Sequence, residues 1–217
     1  MRFSPESPNG RRESYHHGNL REALIAAALG LIAERGPAGF SFAEVARAAG
    51  VSAAAPYRHF RDRNALVAEI ARQGFERFAE ALERAWNEGR PDPVSAIESC
   101  GKAYLGFARQ HPASYATMFE TGFPLEDDAA LLLASERAFG VLRRAAEQAC
   151  ATLRPAASRP PAMMVALHIW AMAHGIAALF VGRDSSLRRR LPMPAEDLLE
   201  AGLLIYLQSI GLNAPSR

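Results

Sequence analysis

The sequence predicts an all-α protein: an N-terminal three-helix domain with a helix-turn-helix, then a C-terminal helical bundle. Three observations lead there. Apolar residues recur at three- and four-residue spacing in segment after segment. Ser, Asp or Asn stands before several of these segments, and Gly or Pro follows them, as helix caps and stops require. No strand pattern of alternating polar and apolar residues supports a sheet. With 217 residues, 49% of them hydrophobic, the chain can bury a substantial core as one large helical unit or two small ones.

Residues 1–14 are rich in Pro, Ser, Arg and Glu and read as a disordered tail. Arg2, Arg11 and Arg12 have two open readings, a DNA-touching arm or a solvated tail. His16 and His17 have no third ligand at metal-binding spacing, so a metal site is rejected. Asn19 can cap a first helix over 20–35, whose buried stripe is Leu20, Leu24, Ala27, Ala28, Leu31 and Ile32, with Gly36 as its stop. The segment 41–62, SFAEVARAAGVSAAAPYRHFRD, reads as helix, tight turn, helix. Ser41 and Glu44 have the spacing of a capping box. Phe42, Val45, Ala46 and Ala49 give one apolar face, Gly50 ends it, and Val51 plugs the gap between the two helices. Ser52 caps a short second helix over 53–60, where Pro56 is tolerated because it closes the first turn. Small Ala53 and Ala54 allow close approach to a flat partner. Arg58, His59, Arg61 and Arg63 add positive charge or donors against Asp62 alone. Short paired helices of this kind are the form of a DNA-reading helix-turn-helix, or of a plain helical hairpin in a bundle.

Asp62 caps a long helix from 63 to 86 or 89, with Leu66, Ile70, Phe75, Phe78 and Leu82 on one face. The turn cluster 89–93 is the candidate domain boundary. Further helices follow over 93–110, from Asp127 or Asp128 to 153, over 162–181, and over 194–210, while His111 and Pro112 break the first of these before a short, aromatic-rich segment at 113–120. The helix after Asp127 or Asp128 carries Leu131, Leu132, Ala138, Leu142 and Ala149 toward the core. The segment 162–181 is apolar nearly all round. It is long enough to raise a membrane span, but His168 and His174 and its charged neighbours favour a buried core or subunit interface. The cluster at 188–190 reads as a solvated or partner-facing basic surface.

The formal charge of +2 does not announce a nucleic-acid partner, although basic groups can still gather on one face. Lys102 is the only lysine; arginine suits bidentate contacts, but its overall abundance reads as a compositional bias. Cys100 and Cys150 lack metal-ligand spacing and suggest buried thiols in a reducing compartment. A polar start without an apolar signal core points to the cytoplasm. The nucleophile-elbow, P-loop, dinucleotide and zinc-helix motifs are all missing, which argues against an enzyme, and no cofactor is expected.

The spacing of Ala27, Gly36, Phe40, Ser41, Val45, Ala46, Ala49, Gly50, Val51, Ser52, Tyr57, Arg58, His59, Phe60 and Leu66 resembles that of the tetracycline-repressor (TetR) family of bacterial transcription regulators. The resemblance spans about residues 20–66. The order Trp170, His174, Gly175 is similar to the Trp-His-Gly pattern of one type of regulatory domain in that family. The resemblance implies a DNA-binding domain at 15–62, a connecting helix at 63–89, and a regulatory and dimerisation domain at 90–217. It implies phosphate contacts from Tyr57, His59 and Arg63, to which Ser41, Arg47 and Ser52 are added from their positions. Ala53, Ala54 and Pro56 would face the bases, with Arg58 the side chain able to read a guanine. A homodimer through the last two helices would bind a palindromic operator of double-stranded DNA. Tyr104, Phe107, Tyr115, Met118, Phe119, Phe123, Trp170 and His174 either line a pocket for a small apolar effector or pack as core. The expected function is a ligand-responsive repressor. The alternative is a structural DNA-binding protein without a ligand.

Overall fold

Eight α-helices and two short 3-10 turns, with no strand, form the described part of the computed structural model, which comprises residues 20–122, 128–153, 160–181 and 192–213. The helices are α1 (Leu20–Arg35), α2 (Phe42–Ala48), α3 (Arg63–Trp86), α4 (Pro93–Gln110), α5 (Pro112–Phe119), α6 (Ala129–Ala151), α7 (Ala162–Val181) and α8 (Ala195–Ser209). The turns lie at Pro56–Arg58 and Asn87–Gly89. The N-terminal tail with Asn19, Phe123, and the basic loop with its cluster at 188–190 lie outside the described residues.

Local chemistry accounts for most of the helix ends. The Ser41 hydroxyl accepts from the Glu44 amide, and the Glu44 carboxylate accepts from the Ser41 amide, completing the capping box. These bonds, with one from Arg35, hold the Glu44 carboxyl down at about 2. At the other end of α2, the Val51 amide donates to Ala46 and the Gly50 amide to Arg47. That pairing requires the left-handed backbone Gly50 supplies at φ +70. Asp62, Asp92 and Asp128 cap α3, α4 and α6 through their carboxylates. Asp128, rather than Asp127, is therefore the cap of α6.

One expected element is different. The second helix expected over 53–60 is a turn at 53–55 followed by the 3-10 turn Pro56–Arg58. Pro56 has no amide to donate to Ser52, so the ladder tightens: Ala55 donates to Ser52, Arg58 to Ala55 and His59 to Pro56. Two smaller shifts accompany it. In α1, Ile25 is buried while Leu20, Ala27 and Leu31 are only half-buried, and α5 begins at Pro112, which fits the first position of a helix.

Two apolar cores share α3. Leu24, Ile25, Ala28 and Ile32 of α1 pack with Phe42, Val45, Phe60 and the α3 residues Leu66, Val67 and Ile70. From Ala71 onward α3 belongs to the second core, where Phe75, Phe78 and Leu82 meet α4, α5, α6 and α7. Phe78 is fully buried and touches Tyr104, Phe107 and Trp170 edge-on or tilted. Burying a phenyl group of this kind is worth about 1.5–3 kcal/mol. The α3 helix is also tied to α1 by Arg21, which sits 2.8 Å from Glu69.

Candidate nucleic-acid interface and adjoining cavity

The exposed end of the first core is built around Tyr57. Its ring stands edge-on to Phe42 at 4.9 Å, yet 62% of the residue remains exposed. Arg58 and His59 are exposed beside it, as are Ser52, Ala53 and Ala54 before it and Arg47 on the last turn of α2. Arg61 is exposed and paired with Asp62 at 3.0 Å. The result is an exposed surface that carries an aromatic hydroxyl and the cationic side chains of Arg47 and Arg58, suited to a polyanionic backbone.

Three expected contact residues sit otherwise than the sequence suggests. Pro56 is buried beneath the tip and shares no surface with Ala53 and Ala54. The Ser41 hydroxyl is engaged in the cap, donating to Glu44 at 2.8 Å. Arg63 folds inward: its guanidinium donates to the Phe40 carbonyl at 3.0 Å and to the Pro37 carbonyl, and lies 4.6 Å from the Phe40 ring centroid. It fixes the segment between α1 and α2.

A cavity of about 410 Å³ opens below, between α3, α5, α6 and α7. Ala71 and Phe75 of α3, Met118 and Phe119 of α5, Leu131 and Phe139 of α6, and Trp170 of α7 form its apolar wall. Thr121, Gly122, Ser135 and Glu136 are the other described residues of the lining. Of the expected pocket residues, Met118, Phe119 and Trp170 are on the wall. Tyr104, Phe107, Tyr115 and His174 are not, because they are engaged with one another or with neighbouring rings. Tyr104 and Tyr115 lie 3.1 and 2.9 Å from the His174 Nδ1. Phe107 packs on Phe78 and His111. Burial pushes the Tyr115 phenol up to about 12, raises Tyr104 further, and lowers His174 against the opposing charge of Glu120. Both phenols therefore keep their protons, and one of them can donate to the single lone pair of a neutral Nδ1 while the other hydroxyl lies 3.4 Å from the first. Phe75, Leu131, Ser135, Glu136 and Phe139 were not expected on the wall. Their signal in the sequence is the four-residue step Leu131, Ser135, Phe139 along α6, which marks one helix face. No cluster of three metal-ligating side chains occurs among the described residues.

The outer face of α7 and α8 is apolar and uncovered. Met163, Met164, Leu167 and Leu179 of α7 are exposed beside Leu204 and Ile205 of α8, with Ile205 at 69%. The α7 helix is long and apolar enough to cross a membrane, and 39% of that span is buried inside the protein. His168 stacks on Tyr206 at 5.0 Å between these two helices.

Comparison with known proteins gives a consistent picture. Residues 24–70 match the model of bacterial regulatory proteins, tetR family, and residues 97–204 match the tetracyclin repressor-like, C-terminal domain. No curated protein matches the sequence. Among solved structures, the chain is similar to a protein with unknown function from a Rhodococcus species, with 31% identity and a TM-score of 0.76 over 91% of this chain and 98% of that one. It is similar to the TetR family transcriptional regulator PfmR from Thermus thermophilus, with 21% identity and a TM-score of 0.65 over 89% of this chain and 99% of that one. It is also similar to AibR, solved in complex with isovaleryl coenzyme A and operator DNA, with 19% identity and a TM-score of 0.65 over 86% of this chain and 97% of that one. The last two likenesses, at such identities, are likenesses of fold.

Proposed function

The chain belongs to the tetR family of bacterial regulatory proteins and is a DNA-binding transcription regulator; from that premise we propose that it is a homodimeric repressor, released from a palindromic operator by a small apolar effector. The observation that carries this reading is the double duty of α3. Its first turns hold the DNA-binding core through Leu66, Val67 and Ile70, and its next turn walls the cavity through Ala71 and Phe75. The α5 helix repeats the arrangement: Ala113 packs on the N-terminal core, while Met118 and Phe119 face the cavity.

In this reading Tyr57, His59 and Arg47 hold phosphates and set register, with Ser52 near enough to add a contact. Ala53 and Ala54 meet bases by apolar contact, and Arg58 is the side chain able to pair with a guanine. Arg63 and Pro56 serve the surface from beneath, and Ser41 does so through its cap. The uncovered apolar face of α7 and α8 pairs with its copy in a four-helix interface, which places two reading tips on successive major grooves, roughly 34–36 Å apart or wider. An effector that binds more tightly when α3 and α5 are spread shifts the population toward that conformer and away from the operator. A protein working on DNA in this way resides in the cytoplasm and needs no catalytic group. A structural DNA binder without a ligand would have no use for an open cavity at this junction.

The test is selection of bound fragments from the source genome, followed by affinity measurement with and without candidate effectors. The expected result is one palindrome beside a neighbouring gene, bound by a dimer and released by a compound. Weak binding spread over all sequences, unaffected by any compound, would overturn the proposal.

A further inference from the structure

Four aromatic rings surround the cavity, and they touch one another. Phe119 lies 5.5 Å from Phe75 and 6.0 Å from Trp170, and Phe139 lies 5.5 Å from Trp170. Their faces carry partial negative charge, which attracts a cation held against them. The charged group in the described lining is Glu136, a carboxylate with no ion pair among the described residues. Nearby cations are engaged elsewhere: Arg137 pairs with Glu83 at 2.7 Å, and Arg72 with Glu69 and Glu76. Among the described residues, no Arg, Lys or His lines the cavity.

The hydroxyls on the wall point the same way. Thr121 spends its proton on the Thr117 carbonyl, and Ser135 spends its own on Leu132. Both then offer lone pairs to the cavity, and the Met118 thioether is likewise an acceptor. Among the described residues of the wall, the Trp170 indole is the one side-chain donor left. An anion entering here would lose its hydration and find almost nothing to replace it.

We infer that the cavity takes a lipophilic organic cation, an ammonium head held by Glu136 and the aromatic rings with an alkyl or aryl body against Ala71, Met118 and Leu131. This rests on the reading of the cavity as the effector site and narrows it to a chemical class. An acyl coenzyme A or a fatty acid, each anionic, is disfavoured by the same lining.

The test uses the full-length protein and three probes of equal chain length: octyltrimethylammonium, octanol and octanoate, each below its aggregation threshold. Binding is measured by calorimetry and release by anisotropy of a labelled operator. The ammonium should bind best, about tenfold or more ahead of octanoate. Glu136→Gln, a change at an exposed position, should weaken the ammonium about three- to fivefold and leave octanol unchanged. Phe139→Leu, which keeps apolar bulk but removes a ring face, should weaken the ammonium about two- to fivefold and octanol by clearly less. Octanoate equal to the ammonium, or ammonium binding indifferent to Glu136→Gln, would overturn the cationic assignment while leaving an effector site in place. Failure of all three probes to bind would overturn the cationic assignment, while the effector reading and operator binding would each stand on the separate measurements given above.

Discussion

Tyr57 and Arg63 both belong to the DNA-facing motif in sequence, yet they do different work. Tyr57 is braced by Phe42 and open to solvent. Tyr57→Ala should weaken every duplex about equally, by about 1–2 kcal/mol, as loss of a phosphate contact does, and titrations against several sequences would check it. Arg63 donates to two backbone carbonyls from within the fold. Arg63→Ala should therefore lower the stability of the free protein by about 1–3 kcal/mol in urea melts without any DNA present. A residue that only touched phosphate would leave those melts unchanged. His174 gives a pH-dependent counterpart. Burial lowers its folded pKa below the unfolded value of 6.5, so the unfolded chain takes up the proton first as pH falls. Stability should be intact above that value and decline below it. Comparing urea melts at about pH 7.5 and about pH 5.5, the loss should be smaller in His174→Gln than in the native chain. The tyrosine partners of His174 could not be read from the sequence, because they lie 70 and 59 residues away along it.

Among the elements, α3 and α5 meet closely at Gly74. A Cβ there would stand 2.8 Å from the Met118 sulfur and 3.0 Å from its Cγ. Met118 is flexible and lines the cavity, so Gly74→Ala should drive its thioether into the empty volume. The expected outcome is a protein that still folds, with effector affinity reduced about fivefold or more, on the scale of about 1 kcal/mol for a strained core contact. Calorimetry paired with a thermal melt would separate the two effects. The elements themselves were largely legible. Asp62, Asp92 and Asp128 mark starts because a cap is a local device, and the apolar period of α3 and α4 is unbroken. The tip at 53–60 was not legible as a 3-10 turn, because tolerance of a proline at the end of a first turn does not say whether the ladder beyond it closes at four residues or three. The walls of the cavity were legible only in part for a related reason. Helical period shows that Phe139 and Leu131 share a face, but not that the faces opposite fail to fill the space between them.

At the scale of the molecule, the uncovered strip along α7 and α8 sets the expectation of a twofold partner. Ile205 is its most exposed large side chain, at 69%. Ile205→Glu should convert the dimer to a monomer in sedimentation and lower operator affinity by about tenfold or more, because a single tip contacts half the site. A dimer that persists in that variant would move the interface elsewhere. The candidate boundary of the chain follows Gly89, after α3, and within that unbroken helix the buried residues of the two cores divide between Ile70 and Ala71. An engineer who wished to graft this reading head onto another sensor would have to splice inside that rod. Each residue inserted there would swing the head by about 100° about the axis, so only near-whole-turn insertions would preserve its aim.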